Sequence, residues 1–281
     1  MSKEKLTFQY CDQLVRDFEK AIEHPLVSKS TIYYTGVDLG TACVVLAVLD
    51  ENLQPVAGAY RYADVVRDGM VVDYIGAVNI VRDLKKELEK KLGAELIYAA
   101  SAIPPGTDAL DSGAVKNVVQ AAGFELTYLL DEPTAANEVL KIENGAVVDI
   151  GGGTTGISIL KDGKVVYVVD EPTGGTHFSL VISGAYKIPF AEAEKYKRDA
   201  RNHKELLPVL RPVVEKISSI IIQHINGFDI KEISLVGGTC CLEGIEEIIE
   251  MKTGIYTHKP KNPMFVTPLG IALSCRYQGK E

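Results

Sequence analysis

The sequence predicts an α/β protein made of two duplicated lobes, and three observations carry that prediction. Strand-like runs rich in β-branched residues alternate with stretches whose apolar residues recur at helical spacing. Several of the strands are joined by tight turns containing glycine, so antiparallel hairpins are mixed in and the order is not a plain βαβαβ series. The third observation is a repeat. The strand-turn-strand unit GVDLGTACVVLAVLDENLQPVAG at 36–58 returns as VVDIGGGTTGISILKDGKVVYVV at 147–169, which suggests duplicated halves facing each other across a cleft.

The elements follow in order. Residues 4–24 place Leu6, Tyr10, Leu14, Phe18 and Ile22 four apart, with Cys11 and Val15 beside them, and so read as an amphipathic helix ending before Pro25. This helix lies outside the repeated pattern; it either packs on the main body or serves as a docking segment for a partner. The run 32–49 reads as strand, tight turn, strand, with a further strand near 56–62. Helical spacing returns over 75–92 and stops at Gly93, a natural C-cap. AELIYAASAIP is a buried strand, 112–122 a helix, LTYLLDEP a strand running into a turn, and TAANEVLKI a helix beginning after Pro133. Three short strands cover 146–172, with turns at Gly151–Thr155 and Asp162-Gly163. Helices near 190–201 and 206–226, the strand EISLVGG, a helix over 242–252 and a last helix from about 267 complete the chain. The expected division is an N-terminal helix over 1–29, a first lobe of 30–145 plus 266–281, and a second lobe of 146–265.

Composition narrows the function. A length of 281 residues at 46% hydrophobic fits about two domains with a sizeable core. The net charge of −8 disfavours attraction to nucleic acid or anionic membrane. Five cysteines without C-x-x-C spacing fit a reducing cytoplasm and read as small buried fillers. Neither a signal peptide nor an apolar run of membrane-spanning length is recognisable, so a protein that is not integral to a membrane is expected.

The repeat also supplies the chemistry. Asp38 and Asp149 hold the same place in the two copies, 111 positions apart. Gly40 with Thr41, and Gly151, Gly152 and Gly153 with Thr154 and Thr155, follow them. Glycine lets backbone N–H groups approach an anion closely, and threonine adds hydroxyl donors, so each turn suits a phosphate. A carboxylate ahead of each turn suits Mg²⁺, a hard cation commonly bound through its retained waters. One copy alone would be read as a hairpin closure; two copies, each with its aspartate, point to a phosphate clamp. The string GGGTTG at 151–156 matches a dinucleotide fingerprint only literally, because ISILKDGKVV beyond it turns like a hairpin and does not open a helix. No P-loop motif is present. His177 has no second His or Cys at ligand spacing.

Together these segments resemble the actin, Hsp70 and sugar-kinase superfamily. GVDLGT is similar to its first phosphate motif, VVDIGGGTTGISIL to its second, LLDEPTAA to its first connecting motif, ISLVGGTCCLEGI to its adenosine motif and FVTPLGIALS to its second connecting helix. VVRDGMVVDYIGA and IPFAEAEKYKRD look closer to bacterial rod-shape and cell-division members than to sugar kinases. The compact size and lone N-terminal helix are most similar to a cytoplasmic, chaperone-like branch tied to ethanolamine utilisation. The resemblance implies an actin-like ATPase fold of the ribonuclease H type with ATP and Mg²⁺ as ligands. It implies that Glu132 orients the attacking water, that Gly237 and Gly238 admit the adenine and α-phosphate, and that Glu194 and Lys197 reach the ribose and adenine. Read without the resemblance, Glu132 is a helix-capping surface residue and Glu194–Lys197 a solvated pair. Gly156 departs from the pattern, which commonly has an acid there, and Cys240-Cys241 replace a polar stretch; both departures bear on ion binding and hydrolysis.

The leading expectation is an ATPase whose nucleotide state is coupled to a protein partner, with microcompartment enzymes or shell as candidates. No room is expected after the last helix for the peptide-binding domain of a full Hsp70. An actin-like filament or scaffold formed by self-association, a small-molecule kinase, and a nucleotide sensor that barely hydrolyses are the alternatives.

Overall fold

The computed structural model describes residues 3–27, 30–67 and 69–276, with side chains from Gln9 onward. The chain forms two compact units, Met1–Lys141 with Phe265–Glu281, and Ile142–Met264.

The first unit opens with α1 (Lys3–Glu23) and continues through β1 (Tyr34–Leu39), β2 (Cys43–Leu49) and β3 (Pro55–Tyr62). A small ribbon of β4 (Val66–Arg67) and β5 (Met70–Val71) leads to α2 (Tyr74–Leu92), β6 (Tyr98–Ile103), α3 (Ala109–Ala121), β7 (Glu125–Asp131) and α4 (Glu132–Leu140). The second unit runs β8 (Gly145–Ile150), β9 (Thr155–Lys161), β10 (Lys164–Glu171), α5 (Gly175–Tyr186), α6 (Phe190–Arg198), α7 (His203–Ile225), β11 (Glu232–Val236), α8 (Ile245–Thr253) and β12 (Tyr256–His258). The chain then returns to the first unit as α9 (Val266–Ser274).

The repeat read from the sequence is a repeat of topology. The first sheet has the order β3-β2-β1-β6-β7 and the second β10-β9-β8-β11-β12. In each, the first three strands of the unit form an antiparallel meander, and two later strands add in parallel beside the founding strand. Hairpin loops of two to five residues suffice for the antiparallel half, whereas the parallel half needs helical crossovers.

Each unit has its own core. In the first, Val37, Leu39, Val44, Leu46 and Val48 meet Val81, Leu84 and Leu88 of α2 and Val115 and Val118 of α3. The opposite face carries Ala100, Ala102 and Leu130 against Ala135 and Ile271. Small residues bring α4 and α9 very close there: a β-carbon on Gly270 would stand 1.8 Å from the Ala135 carbonyl oxygen, and one on Gly36 would stand 2.5 Å from Pro268 O in α9. In the second unit, Val148, Ile150, Ile157 and Ile159 pack on Phe178 of α5 and on Leu210, Val214, Ile217 and Ile221 of α7. Pro208 and Pro212 lie inside α7 but on its exposed side, where water can serve the carbonyls that lose their N–H partners.

The amphipathic N-terminal helix packs on its own unit, against β3, α4 and α9. Cys11, Leu14, Val15, Phe18 and Ala21 are buried, whereas Tyr10 is 47% exposed, so the apolar stripe is centred one position round from the spacing by fours. The side chain of Leu6 lies outside the described residues. Phe18 meets Phe265 edge-on at 5.2 Å, and its ring occupies the space over Gly58 where a β-carbon would come within 2.4 Å.

The sequence pattern did not disclose α5 or β12. The helix expected over 242–252 is α8, which starts three residues later and is preceded by a 3-10 turn at Gly238–Cys241.

Candidate functional site

In both units the predicted site residues gather at the carboxyl edge of the parallel strands, where open α/β sheets commonly bind ligands. In the first unit, β1, β6 and β7 run parallel and end at Leu39, Ile103 and Asp131. Asp38 is the penultimate residue of β1 and pairs with Val45 across the hairpin. Gly40 follows, its N–H donating to Cys43 O at 3.1 Å; a β-carbon there would lie 2.9 Å from the same oxygen. Thr41 is half-buried in the turn.

Glu132 begins α4, half-buried, one residue beyond the end of β7. The helix is capped by its neighbour: Asp131 accepts from Thr134 N–H at 2.9 Å and from the Thr134 hydroxyl at 2.8 Å. Capping therefore does not account for Glu132. Its charge sits in the first turn, where the helix dipole favours an anion, and Pro133 beside it fixes the backbone at a position that needs no N–H donor.

In the second unit, Asp149 is the penultimate residue of β8 and pairs with Val236 of β11 and Gly156 of β9. Its carboxylate lies against Gly237. A β-carbon on that glycine would come 2.2 Å from Asp149 Oδ1, and its φ of 92° is one that other residues rarely adopt. Gly237 thus gives up its side-chain volume to the Asp149 carboxylate. Gly238 opens the 3-10 turn behind it.

The Gly151–Thr155 turn is held from behind by three other segments. Gly175 N–H donates to Gly151 O at 2.9 Å and Thr176 N–H to Gly152 O at 2.8 Å. The hydroxyls of Thr239 and Thr176 donate to the same two carbonyls at 2.7 and 2.9 Å. Gly174 is pressed so close that a β-carbon would stand 2.8 Å from Gly153 C and 2.9 Å from Thr154 N. The Thr155 hydroxyl donates to Thr173 O, anchoring the exit of β10. Among the described contacts, the carbonyls of Gly151 and Gly152 are committed to the protein and the Gly151 N–H donates to Thr154 O at 3.0 Å. What this turn can offer a ligand is therefore N–H groups, which suits an anion.

Glu194 and Lys197 share one face of α6 and form an ion pair at 2.8 Å. They are not a solvated pair. Lys197 also donates to Gly175 O at 2.8 Å, and Ser179 donates to Glu194, so the pair clamps the first turn of α5 onto the Gly151 turn. Burial holds the Lys197 ammonium below its ordinary pKa, with the Glu194 carboxylate acting in the opposite direction. His177 has a local role: Gly174 N–H donates to its Nδ1 at 3.4 Å at the start of α5. Burial, reinforced by the Asp149 carboxylate, pushes the Cys240 thiol well above its ordinary pKa, which fits an inert filler. Cys11 and Cys275 are raised by burial to about 12 and about 11.

Among the described residues no group of three or more His, Cys, Asp or Glu side chains forms a metal centre. Each unit nonetheless presents a hard oxygen donor at a strand end, Asp38 in the first and Asp149 in the second. Either carboxylate by itself suits Mg²⁺, which keeps several waters and draws further ligands from substrate phosphates. Gly174, Gly175 and Thr239 were not among the residues expected at this site. A glycine pair followed by an apolar run was the available signal, but it also reads as a plain turn.

The comparisons with known proteins agree with this architecture. A model of the MreB/Mbl protein family matches residues 57–190, and one described as the type IV pilus assembly protein PilM matches 130–265. The ethanolamine utilization protein EutJ of Salmonella typhimurium is 47% identical over 250 residues, covering 89% of this chain and 88% of its own. This chain belongs to the EutJ family. The crystal structure of EutJ from Carboxydothermus hydrogenoformans superposes with a TM-score of 0.91 at 48% identity, covering 95% of this chain and 99% of that one. MreB5 of Spiroplasma citri, in a structure bound to AMPPNP, gives a TM-score of 0.69 at 18% identity, covering 87% and 96%. The EutJ family member described here therefore has the actin-like ATPase fold of the actin and Hsp70 superfamily. No described helix is long and apolar enough to cross a membrane.

Proposed function

We propose that the chain binds Mg-ATP, hydrolyses it slowly, and couples its nucleotide state to a protein partner in ethanolamine utilisation, with microcompartment enzymes or shell as the candidate partners. The observation that carries this reading is the doubled arrangement of a carboxylate one residue before a strand end and a glycine-threonine turn beyond it, Asp38 with Gly40-Thr41 and Asp149 with Gly151–Thr155. The nucleotide-bound structure of the MreB5 neighbour supports the ligand class.

In this reading the N–H groups of the two turns, with the hydroxyls of Thr41 and Thr154, bind the phosphates. Thr155 shapes the second turn through Thr173. Gly237 and Gly238 admit the adenosine, and Glu194 and Lys197 act on it through the α5 terminus that they clamp. Asp38 and Asp149 hold hydrated Mg²⁺. The ion, when bound, neutralises charge on the phosphates. Glu132 accepts a hydrogen bond from the attacking water and orients it, positioning being most of what phosphoryl transfer asks of a protein.

Calorimetry with ATP and Mg²⁺ tests the assignment. Asp149→Ala should weaken Mg-dependent binding by at least about tenfold, corresponding to 1.4 kcal/mol. Glu132→Ala should bind ATP as the wild type does and release less phosphate. Unchanged affinity in Asp149→Ala would remove the two-carboxylate model. The match to the MreB/Mbl family model supports a second reading, a nucleotide-dependent filament or scaffold. Pelleting with ATP and Mg²⁺ would favour it, and a monomer or dimer at high concentration would count against it.

A further inference from the structure

Gly156 departs from the superfamily pattern by lacking an acid, and the strand register shows where another acid stands. Gly156 of β9 pairs with Asp149 of β8 on one side and with Asp170 of β10 on the other. Residues directly opposite in a ladder point to the same face, so both carboxylates rise from one face of the sheet with the glycine between them. That face is the one turned away from the unit's core, because Val148, Ile150 and Ile157 occupy the other. Among the described residues, only Asp170 Oδ1 at 3.8 Å and Asp149 Cβ at 4.0 Å come within 4 Å of the place a β-carbon on Gly156 would take, chain neighbours aside.

Resting on the Mg-ATP reading above, we propose that Asp170 supplies from β10 the second carboxylate of the cation site, in place of the acid absent at position 156. Strands lie about 4.8 Å apart, so the two aspartates start from Cα positions roughly 9 to 10 Å apart. That span suits two carboxylates meeting a hydrated Mg²⁺ through its waters and not a direct three-ligand cage.

The end of β10 is built to hold Asp170 in place. Glu171 accepts from Thr173 N–H at 2.7 Å through its backbone carbonyl, and its side chain meets His224 Nε2 of α7 at 2.8 Å. His224 Nδ1 meets the Tyr167 hydroxyl at 2.8 Å, so α7 grips β10 on both sides of Asp170. The first unit has no counterpart: the equivalent row there is Asp38, Val45 and Tyr60. The second carboxylate therefore belongs to the second repeat alone.

The test compares ATP affinity in Mg²⁺ with that in EDTA, using the full chain. Asp170→Asn should lose about tenfold or more of the tightening that Mg²⁺ gives, in the range seen when supporting groups around a metal are removed, while its affinity in EDTA stays at the wild-type value. Gly156→Asp combined with Asp170→Asn returns the carboxylate to β9, where the open surroundings of Gly156 leave room for it, and should restore the Mg²⁺ effect. Thermal unfolding of both variants at the wild-type temperature shows that the fold is kept. Asp170→Asn with a full Mg²⁺ effect, beside an Asp149→Ala variant that has lost it, would overturn the proposal and leave the Mg-ATP reading standing. A folded double variant that fails to recover would also overturn it. Wild-type protein that binds no ATP in either buffer would instead remove the Mg-ATP reading itself.

Discussion

Gly237 shows how far a single residue can be argued from close approach. Its φ of 92° is unfavourable for any side chain, and an added methyl would stand 2.2 Å from Asp149 Oδ1 and 2.6 Å from Ile150 O. The Ile150 carbonyl belongs to the backbone and cannot step aside cheaply, so the Asp149 carboxylate is the group that must move. Gly237→Ala should cost about 2 to 3 kcal/mol of stability, the upper part of the usual range for a strained backbone residue, read by urea denaturation. Because the displaced atom is the Asp149 carboxylate, Mg-dependent ATP binding should weaken in the same variant. Gly238 is the control: only Met264 Cγ, at 3.9 Å, comes within 4 Å of its would-be β-carbon, and Gly238→Ala should fall well below Gly237→Ala in cost. Equal costs would contradict the placement of Asp149.

At the scale of elements, α1 makes the clearest stability prediction. Phe18 is fully buried and makes an edge-on contact with Phe265. Phe18→Ala should therefore cost about 3 to 5 kcal/mol, as large-to-small core substitutions do, whereas Tyr10→Ala, on the half-exposed side, should stay within about 1 kcal/mol. A helix serving only to dock on a partner would show no such difference. The existence of α1 was legible because a run of four-residue spacings between charges admits only one regular structure; which of its residues face inward was less so, since the stripe turns with the helix and only the surface it meets fixes its centre. The meanders were legible for a similar reason: Asp162-Gly163, at φ of 52° and 73°, has the backbone of a two-residue hairpin turn that such a pair favours. The helix α5 was not, because it begins with Gly174-Gly175-Thr176 and contains a run of Val and Ile, which read locally as turn and strand. Hydrogen bonds from Gly175 and Thr176 to the Gly151 turn, which local sequence cannot disclose, decide its start. Asp38, Asp149 and their turns were visible as a repeat. The support behind them was not visible locally: tertiary hydrogen bonding and close packing bring Thr239 and Gly174 to the turn, and strand register brings Asp170.

At the scale of the whole chain, the two units differ in how they are made. Ile142–Met264 is one continuous segment with its own sheet and core. The other unit is discontinuous, closed by the return of the chain after Met264. Every residue of α9 is buried, and the close passages of Gly270 over Ala135 and of Gly36 under Pro268 leave no room for a substitute. Without α9, one face of β1 and the inner side of α4 would present a strip of small apolar residues to water, a loss that a domain of this size has little margin to bear. A fragment of 142–264 should therefore unfold cooperatively by itself, with heat-denaturation and near-ultraviolet dichroism transitions that coincide. A fragment of 1–141 should not, and should recover a cooperative transition when residues 263–276 are supplied as a second chain. Cooperative unfolding of 1–141 alone, at a temperature near that of the complemented pair, would show that α9 is an accessory to the first unit and not a part of its core.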